Sequence, residues 1–250
     1  MQPYQFEVCA NSVESCLAAQ GAGANRVELC AGIPEGGTTP SYGEMAVARQ
    51  LLRHTKLHVI IRPRGGDFLY DETERSIMLH DIRMARQIGA DGIVIGCLTP
   101  DGDIDQPLTQ ELIQAAGPLS VTFHRAFDMC RRPQEALEQL IRLGCHRLLT
   151  SGQQPTAEQG IPLLAELQRQ AGGRITLLAG CGVNEQNIAR IARETGIREF
   201  HFSARHTLPS PMRYRNEAVS MGGTVQIHEY ERSVTSGSRV EATIRALLHT

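Results

Sequence analysis

The most restrictive feature of this chain is an alternation repeated eight times: a short β-branched or aliphatic run, then a longer stretch with helical spacing. The short runs occupy residues 5–9, 26–30, 57–62, 92–97, 119–124, 146–150, 174–179 and 199–203. Helical stretches fall between them, among them 41–54, 72–88, 133–143, 157–170 and 184–194, with start signals at Ser41, Pro133 and Asn184. A strand followed by a helix needs a crossover to reach the next strand, so the sheet must be parallel. Eight such units in 250 residues predict an α/β fold, a TIM (β/α)8 barrel. No linker rich in Pro, Ser or charge divides the sequence, so residues 1–250 are expected to form a single domain. A long polar connection, 204–236, precedes a final helix at 238–248; it carries Pro209, Pro211, Arg213, Arg215 and the pair Gly222-Gly223. It reads equally well as an oligomer arm or as a lid over a site. The competing architecture, an open doubly wound sheet, usually has a Gly-rich turn after its first strand. Cys9-Ala10-Asn11-Ser12 stands there instead, and no dinucleotide fingerprint or phosphate loop occurs.

Composition narrows the partners. With 25 Lys+Arg against 27 Asp+Glu the net charge is -2, and no basic stripe is present to neutralise phosphates along a groove, so no nucleic acid partner is expected. No apolar stretch approaches the ~20 residues of a membrane span, and residues 1–6 lack the pattern of a signal peptide. The expected location is cytoplasmic, with no membrane association. Seven Cys without a close CxxC pair read as reduced thiols rather than a disulfide framework.

Alternation within the strands separates two faces. Val8, Val27, Leu29, Val59, Ile61, Val121, Phe123, Phe200 and Phe202 share the phase that would face the helices. The opposite phase, pointing into the barrel, holds Glu7, Cys9, Glu28, Cys30, Arg62, Arg64, Thr122, His124, His201 and Ser203. Charges inside a barrel cost several kcal/mol unless paired or hydrated, so these groups are expected near the open C-terminal mouth, where TIM barrels keep their sites. Arg125 and Asp128 lie just beyond His124. This set reads either as acid-base and recognition machinery or as an ion-pair network filling the barrel. Five Cys, at 9, 30, 97, 130 and 181, fall at or just after strand ends; Cys9 and Cys30 share the inward phase on consecutive strands. They read either as soft-metal ligands or as small buried hydrophobes. A third feature is the run Ala179-Gly180-Cys181-Gly182-Val183-Asn184 with Ser203-Ala204-Arg205. Loops after the last two strands often bind anions through free N–H groups, which marks Gly180, Gly182, His201 and Ser203 as candidates.

At Arg62-Pro63-Arg64-Gly65-Gly66-Asp67-Phe68, and again at Thr122-Phe123-His124-Arg125-Ala126-Phe127-Asp128-Met129, the sequence resembles the CutC family. Val27-Glu28-Leu29-Cys30, Glu35-Gly36-Gly37-Thr38-Thr39-Pro40-Ser41, Leu149-Thr150-Ser151-Gly152, Ser203-Ala204-Arg205 and Pro211-Met212-Arg213-Tyr214-Arg215-Asn216 carry the same likeness. The resemblance covers nearly the whole chain. It implies a TIM barrel and a cytoplasmic copper homeostasis protein that binds copper(I) through thiols. The matching positions are Cys9 and Cys30, whereas Cys97 and Cys181 lie outside the family pattern.

Two functions therefore stand side by side. One is copper binding at Cys9 and Cys30. The other is an enzyme, of lyase or isomerase type by fold analogy, acting on a small phosphorylated or carboxylated metabolite. There Glu7, Glu28, His124 and Asp128 would supply acid-base chemistry, and Arg62, Arg64 and Arg125 would hold the anion. The long connection and the resemblance also lead to the expectation of a homo-oligomer, a dimer or tetramer.

Overall fold

A computed structural model describes residues 4–222 and 227–248; residues 1–3, 223–226, which include Gly223 of the glycine pair, and 249–250 lie outside the described residues. Eight parallel strands close into a barrel in sequence order. They are β1 (Gln5–Ala10), β2 (Arg26–Leu29), β3 (Lys56–Ile60), β4 (Gly92–Ile95), β5 (Ser120–Phe123), β6 (Arg147–Thr150), β7 (Thr176–Gly180) and β8 (Glu199–Phe202). The helices between them are α1 (Val13–Gly21), α2 (Tyr42–Leu51), α3 (Glu72–Gln87), α4 (Gln106–Ala116), α5 (Pro133–Leu143), α6 (Ile161–Ala171) and α7 (Ile188–Thr195). The protein is a TIM barrel, as the alternation predicts.

Local chemistry sets the helix starts. Ser41 caps α2 in a reciprocal capping box with Glu44, and Asp71 does the same for α3 with Glu74. Pro133 is the first residue of α5, where its missing N–H is no loss. Asn184 is not a cap. It enters a turn with Asn187, whose side-chain oxygen accepts the Asn184 N–H (2.9 Å), and α7 begins only at Ile188.

The helix-facing phase is apolar throughout: Val8, Val27, Leu29, Val59, Ile61, Val121, Phe123, Phe200 and Phe202 all join one core between strands and helices. Inside the barrel the apolar material is a separate small cluster of Cys30, Ile60 and Val94, with Cys9 and Ile33 against it. Leu149 and Leu178 are buried apart from the larger core as well, and the lower half of the interior holds an ion-pair network described below.

The long connection contains an antiparallel pair, β9 (Arg205–Pro209) with β10 (Glu231–Thr235), before α8 (Gly237–Leu248). This pair is anchored beside α1: the Thr235 N–H donates to Ser15 Oγ (3.0 Å) and Asn11 Nδ2 donates to the Ser233 carbonyl (2.7 Å). Among its described residues only Arg205, the first, reaches the mouth of the barrel. Among the described residues no helix is long and apolar enough to cross a membrane.

Candidate functional site

The C-terminal ends of the strands open onto a cavity of about 600 Å³, within the range of small-molecule sites. Strand alternation brings Cys9, Glu28, His124, His201 and Ser203 to its wall. Arg62, Arg125, Asp128 and Gly182 reach it from the strand ends and loops.

At one side lies a thiol pair. In the register of β1 with β2, Cys9 stands opposite Glu28, and Cys30 is the next inward position above it. Their sulfurs are 3.5 Å apart. The Cys30 thiol donating to Cys9 is the main reason that the Cys9 pKa lies well below that of an ordinary thiol. His201, and Arg205 whose Nη2 donates to Cys9 Sγ at 3.4 Å, add to that effect against the burial. Cys30, as the donor of the pair and a buried group, is pushed up instead. The pair is therefore asymmetric, with the thiolate form favoured at Cys9 and the thiol form at Cys30, whose Sγ also lies 3.4 Å from the Ala10 carbonyl. The Cys9, Glu28 and Cys30 ligand atoms all lie within 4.8 Å of one another. Burial pushes the Glu28 carboxyl up to about 8, so it is mostly protonated at neutral pH.

His201 links this group to the layer beneath. Burial works against its charged form, but the contacts with Cys9 and Glu7 win and hold its pKa well above the usual value. Its Nδ1 lies 2.7 Å from Glu7 Oε1, and its Nε2 is 3.7 Å from Glu28. Glu7 is fully buried below the cavity and does not line it. Burial would raise its pKa, yet Arg26, His201 and His58 together hold it far below the usual carboxylate value. Arg26 bonds Glu7 and, at 2.8 Å, Glu199; Arg147 completes the chain with Glu199 (2.9 Å) and Ser120 Oγ (2.6 Å). Glu7 thus belongs to an ion-paired floor, in which His58 Nδ1 stays without a hydrogen bond, and its bond to His201 is what reaches the mouth.

The opposite wall is built by Arg62, Phe68 and His124. The Arg62 side chain is 4% exposed. Its Nη1 donates to the carbonyls of Glu35 (2.6 Å) and Gly37 (2.8 Å), and its Nη2 to that of Gly66 (2.8 Å). The Phe68 ring packs under the guanidinium, 4.9 Å from its carbon, and its centroid is 5.1 Å from that of His124. His124 Nδ1 accepts the Ala126 N–H at 3.1 Å. Burial, with Arg62 nearby, lowers its pKa to about 3, so the ring is neutral and carries its proton on Nε2. Gly96 makes room for this ring: a Cβ there would lie 2.3 Å from it.

The structure moves three sequence candidates away from the cavity. β3 ends at Ile60, so the alternation stops before Arg64. That side chain turns outward over the Tyr70 ring (5.4 Å) and pairs with Asp67 (2.9 Å) and Glu74. Gly180 points inward but is closed over by neighbours: a Cβ there would meet Leu149 at 2.5 Å and His201 at 3.2 Å. It serves packing and offers no surface to an anion. Glu7 sits in the floor, as described. Asp128 reaches the cavity but its oxygens are occupied by Thr150 Oγ1 (2.5 Å), the Ser151 hydroxyl (2.9 Å) and Arg125 Nε (2.7 Å), an arrangement that ties the loops after β5 and β6 together. Of the remaining thiols, Cys97 and Cys130 are buried in the core outside the barrel. Cys181 lines the cavity and donates to the Pro155 carbonyl at 3.1 Å.

Phe68 and Arg205 are cavity residues that strand alternation cannot reach, because both stand beyond the strand ends. Phe68 was contained only in the family-like block from Arg62 to Phe68, whereas Arg205 stood both in the family-like block Ser203-Ala204-Arg205 and in the loop feature after the last two strands.

A closed parallel barrel whose thiols, charges and cavity gather at the C-terminal ends of the strands is a TIM-barrel protein with its site at the mouth. Residues 4–206 match the CutC family, and the chain belongs to that family. A CutC family protein from Bacteroides thetaiotaomicron is 71% identical over 247 residues, covering 99% of each chain. One from Bacteroides fragilis is 70% identical, covering 99% of this chain and 98% of the relative. The crystal structure of a CutC protein from Streptococcus agalactiae, named for copper homeostasis, superposes with a TM-score of 0.77 at 34% identity, over 80% of this chain and 98% of that one. The family match stops at residue 206, so all of β9 but its first two residues, together with β10 and α8, lies outside it.

Proposed function

We propose that the protein takes part in copper homeostasis by binding copper(I), as cargo, between Cys9 and Cys30. The observation that carries this reading is the 3.5 Å separation of the two sulfurs at the cavity wall, with the Cys9 pKa held below that of an ordinary thiol. Thiolates are the soft ligands that copper(I) prefers, and two of them suffice for it. Glu28 lies within reach of the same point. Arg205 and His201, which both lower the Cys9 pKa, reduce the cost of presenting a thiolate there. All seven cysteines are free, which fits a reducing, cytoplasmic setting. The reading extends to a homo-oligomer built through the 204–236 connection, which exposes Met212, Tyr214, Val219 and Met221; a monomer mass by light scattering would remove that part.

The test is an anaerobic copper(I) titration of the reduced protein against a competing chelator, for the native chain and for Cys9→Ala/Cys30→Ala. One tightly bound ion per chain, with affinity falling at least about 100-fold in the double variant, is the expected result. Equal affinity in the two proteins overturns the assignment.

A further inference from the structure

The thiol pair accounts for one wall of the cavity and leaves the other without a role. Arg62 is a buried cation whose hydrogen-bond acceptors are three backbone carbonyls and no carboxylate. Among the described residues no carboxylate forms an ion pair with it, while Arg26, Arg64, Arg125 and Arg147 all have one. A buried charge without a counter-charge is strongly unfavourable and calls for an anion. Arg62 Nε is buried with the Tyr70 hydroxyl as its polar neighbour, so the guanidinium has neutral oxygens around it and no negative charge. His124 Nε2, the nitrogen that carries the proton, is buried and unpartnered. A buried N–H left unmade costs about 1–3 kcal/mol, and this one belongs to a residue that shares the Phe68 ring with the unpaired Arg62 cation.

We infer that the mouth cavity binds a small organic carboxylate, with the carboxylate on the His124 Nε2–H beside the Arg62 guanidinium and the organic body lying along Phe68. A neutral imidazole N–H donor near an unpaired guanidinium charge offers a carboxylate one hydrogen bond and a counter-charge. The apolar part of the wall, Phe68 with Ile33, Ile60 and Leu149, suits a hydrocarbon or aromatic body rather than a second polar head. The carbonyls that hold Arg62 also fix the guanidinium in advance, so little ordering remains to be done on binding. Glu35, exposed at the rim, adds a like charge at the entrance and disfavours ligands with a second anionic group there. The inference does not rest on the copper site, because the two use opposite walls.

The experiment is calorimetric titration of the full-length, reduced, metal-free protein with acetate, phenylacetate and indole-3-acetate, each alongside its neutral amide, and with phenyl phosphate. At least one carboxylate is expected to bind saturably and at least tenfold more tightly than its amide. Affinity is expected to fall at least tenfold in His124→Phe and to stay within about threefold in His124→Gln, which restores an N–H donor. It should also stay within about twofold in Cys9→Ala/Cys30→Ala, so that failure of the copper reading and failure of this one are separable. Histidine 15N spectra of the native protein give the same answer without a variant: the His124 Nε2 signal moves with saturation. Absence of saturable binding by all three acids, equal binding of acid and amide, an unmoved His124 signal, unchanged affinity in His124→Phe, or tenfold tighter binding of phenyl phosphate would each overturn the assignment.

Discussion

The lower and upper halves of the barrel interior contain the same kinds of residue and treat them in opposite ways. In the lower half, Glu7, Arg26, Arg147 and Glu199 form a chain in which each charge meets its opposite, and Ser120 and His201 extend it. In the upper half, Arg62 meets no carboxylate, His124 Nε2 and Arg205 Nε have no hydrogen-bond partner, and two thiols face each other; the floor has an unpartnered atom too, His58 Nδ1, but its carboxylates and guanidiniums are paired. Burial alone therefore does not mark a functional residue here, since Arg26 and Arg62 are both almost inaccessible. What distinguishes them is whether the protein itself satisfies the group. A saturated network stabilises or at least does no harm, while an unsatisfied one waits for something from outside.

The strongest way to break this comparison is to open the floor. Arg26→Ala leaves the buried Glu7 without its guanidinium and the half-buried Glu199 with Arg147 alone, and about 3–5 kcal/mol of stability should disappear in urea unfolding followed by circular dichroism. A loss below about 1 kcal/mol would mean that the floor charges do not depend on one another.

Acid sharpens the contrast further. Burial lowers His58, which lies against the floor, from 6.5 to about 3. A base with a depressed pKa contributes stability that is complete above pH 6.5 and is lost as pH falls from 6.5 toward 3, because only the unfolded chain takes up the proton. The stability difference between the native protein and His58→Gln should therefore drift, on the order of 4 kcal/mol, against the native protein across that window. A pH-independent difference would show that His58 is protonated in the fold. A smaller effect is expected at Gly96, where an added Cβ would lie 2.3 Å from the His124 ring and 2.8 Å from the Ala126 Cβ. Gly96→Ala should cost about 1–3 kcal/mol and shift the His124 ring signals; an unshifted ring would show the mouth to be softer than the packing indicates. The smallest effect belongs to Arg64, 38% exposed and paired at the surface. Arg64→Ala should cost less than about 1 kcal/mol and leave copper(I) affinity as it was, in contrast with the Cys9 and Cys30 replacements.

Much of the site was legible because a strand repeats every two residues. Cys9, Glu28 and His201 were assigned to the interior from phase alone, and they face one another there. The same rule misplaced Arg64, because it continued the period past Ile60, where the backbone leaves the strand. It had no hold on Phe68, carried by the loop after β3, or on Arg205, which begins β9. Nor could it separate Glu7 from Glu28. Both are inward carboxylates on neighbouring strands, yet one is held ionised far below the usual range and the other is pushed up to about 8.

By itself, the sequence determined the closed parallel barrel and the face of each strand, since both follow from local periods: two residues in a strand, 3.6 in a helix, and a helix between every pair of strands. The tertiary structure alone decided the height of each inward group. Register between strands sets Glu7 beside Arg26 and Cys9 opposite Glu28, and with it which charges find a partner inside the protein and which remain open to a ligand. That offset is a relation between segments distant along the chain, so no local pattern carries it.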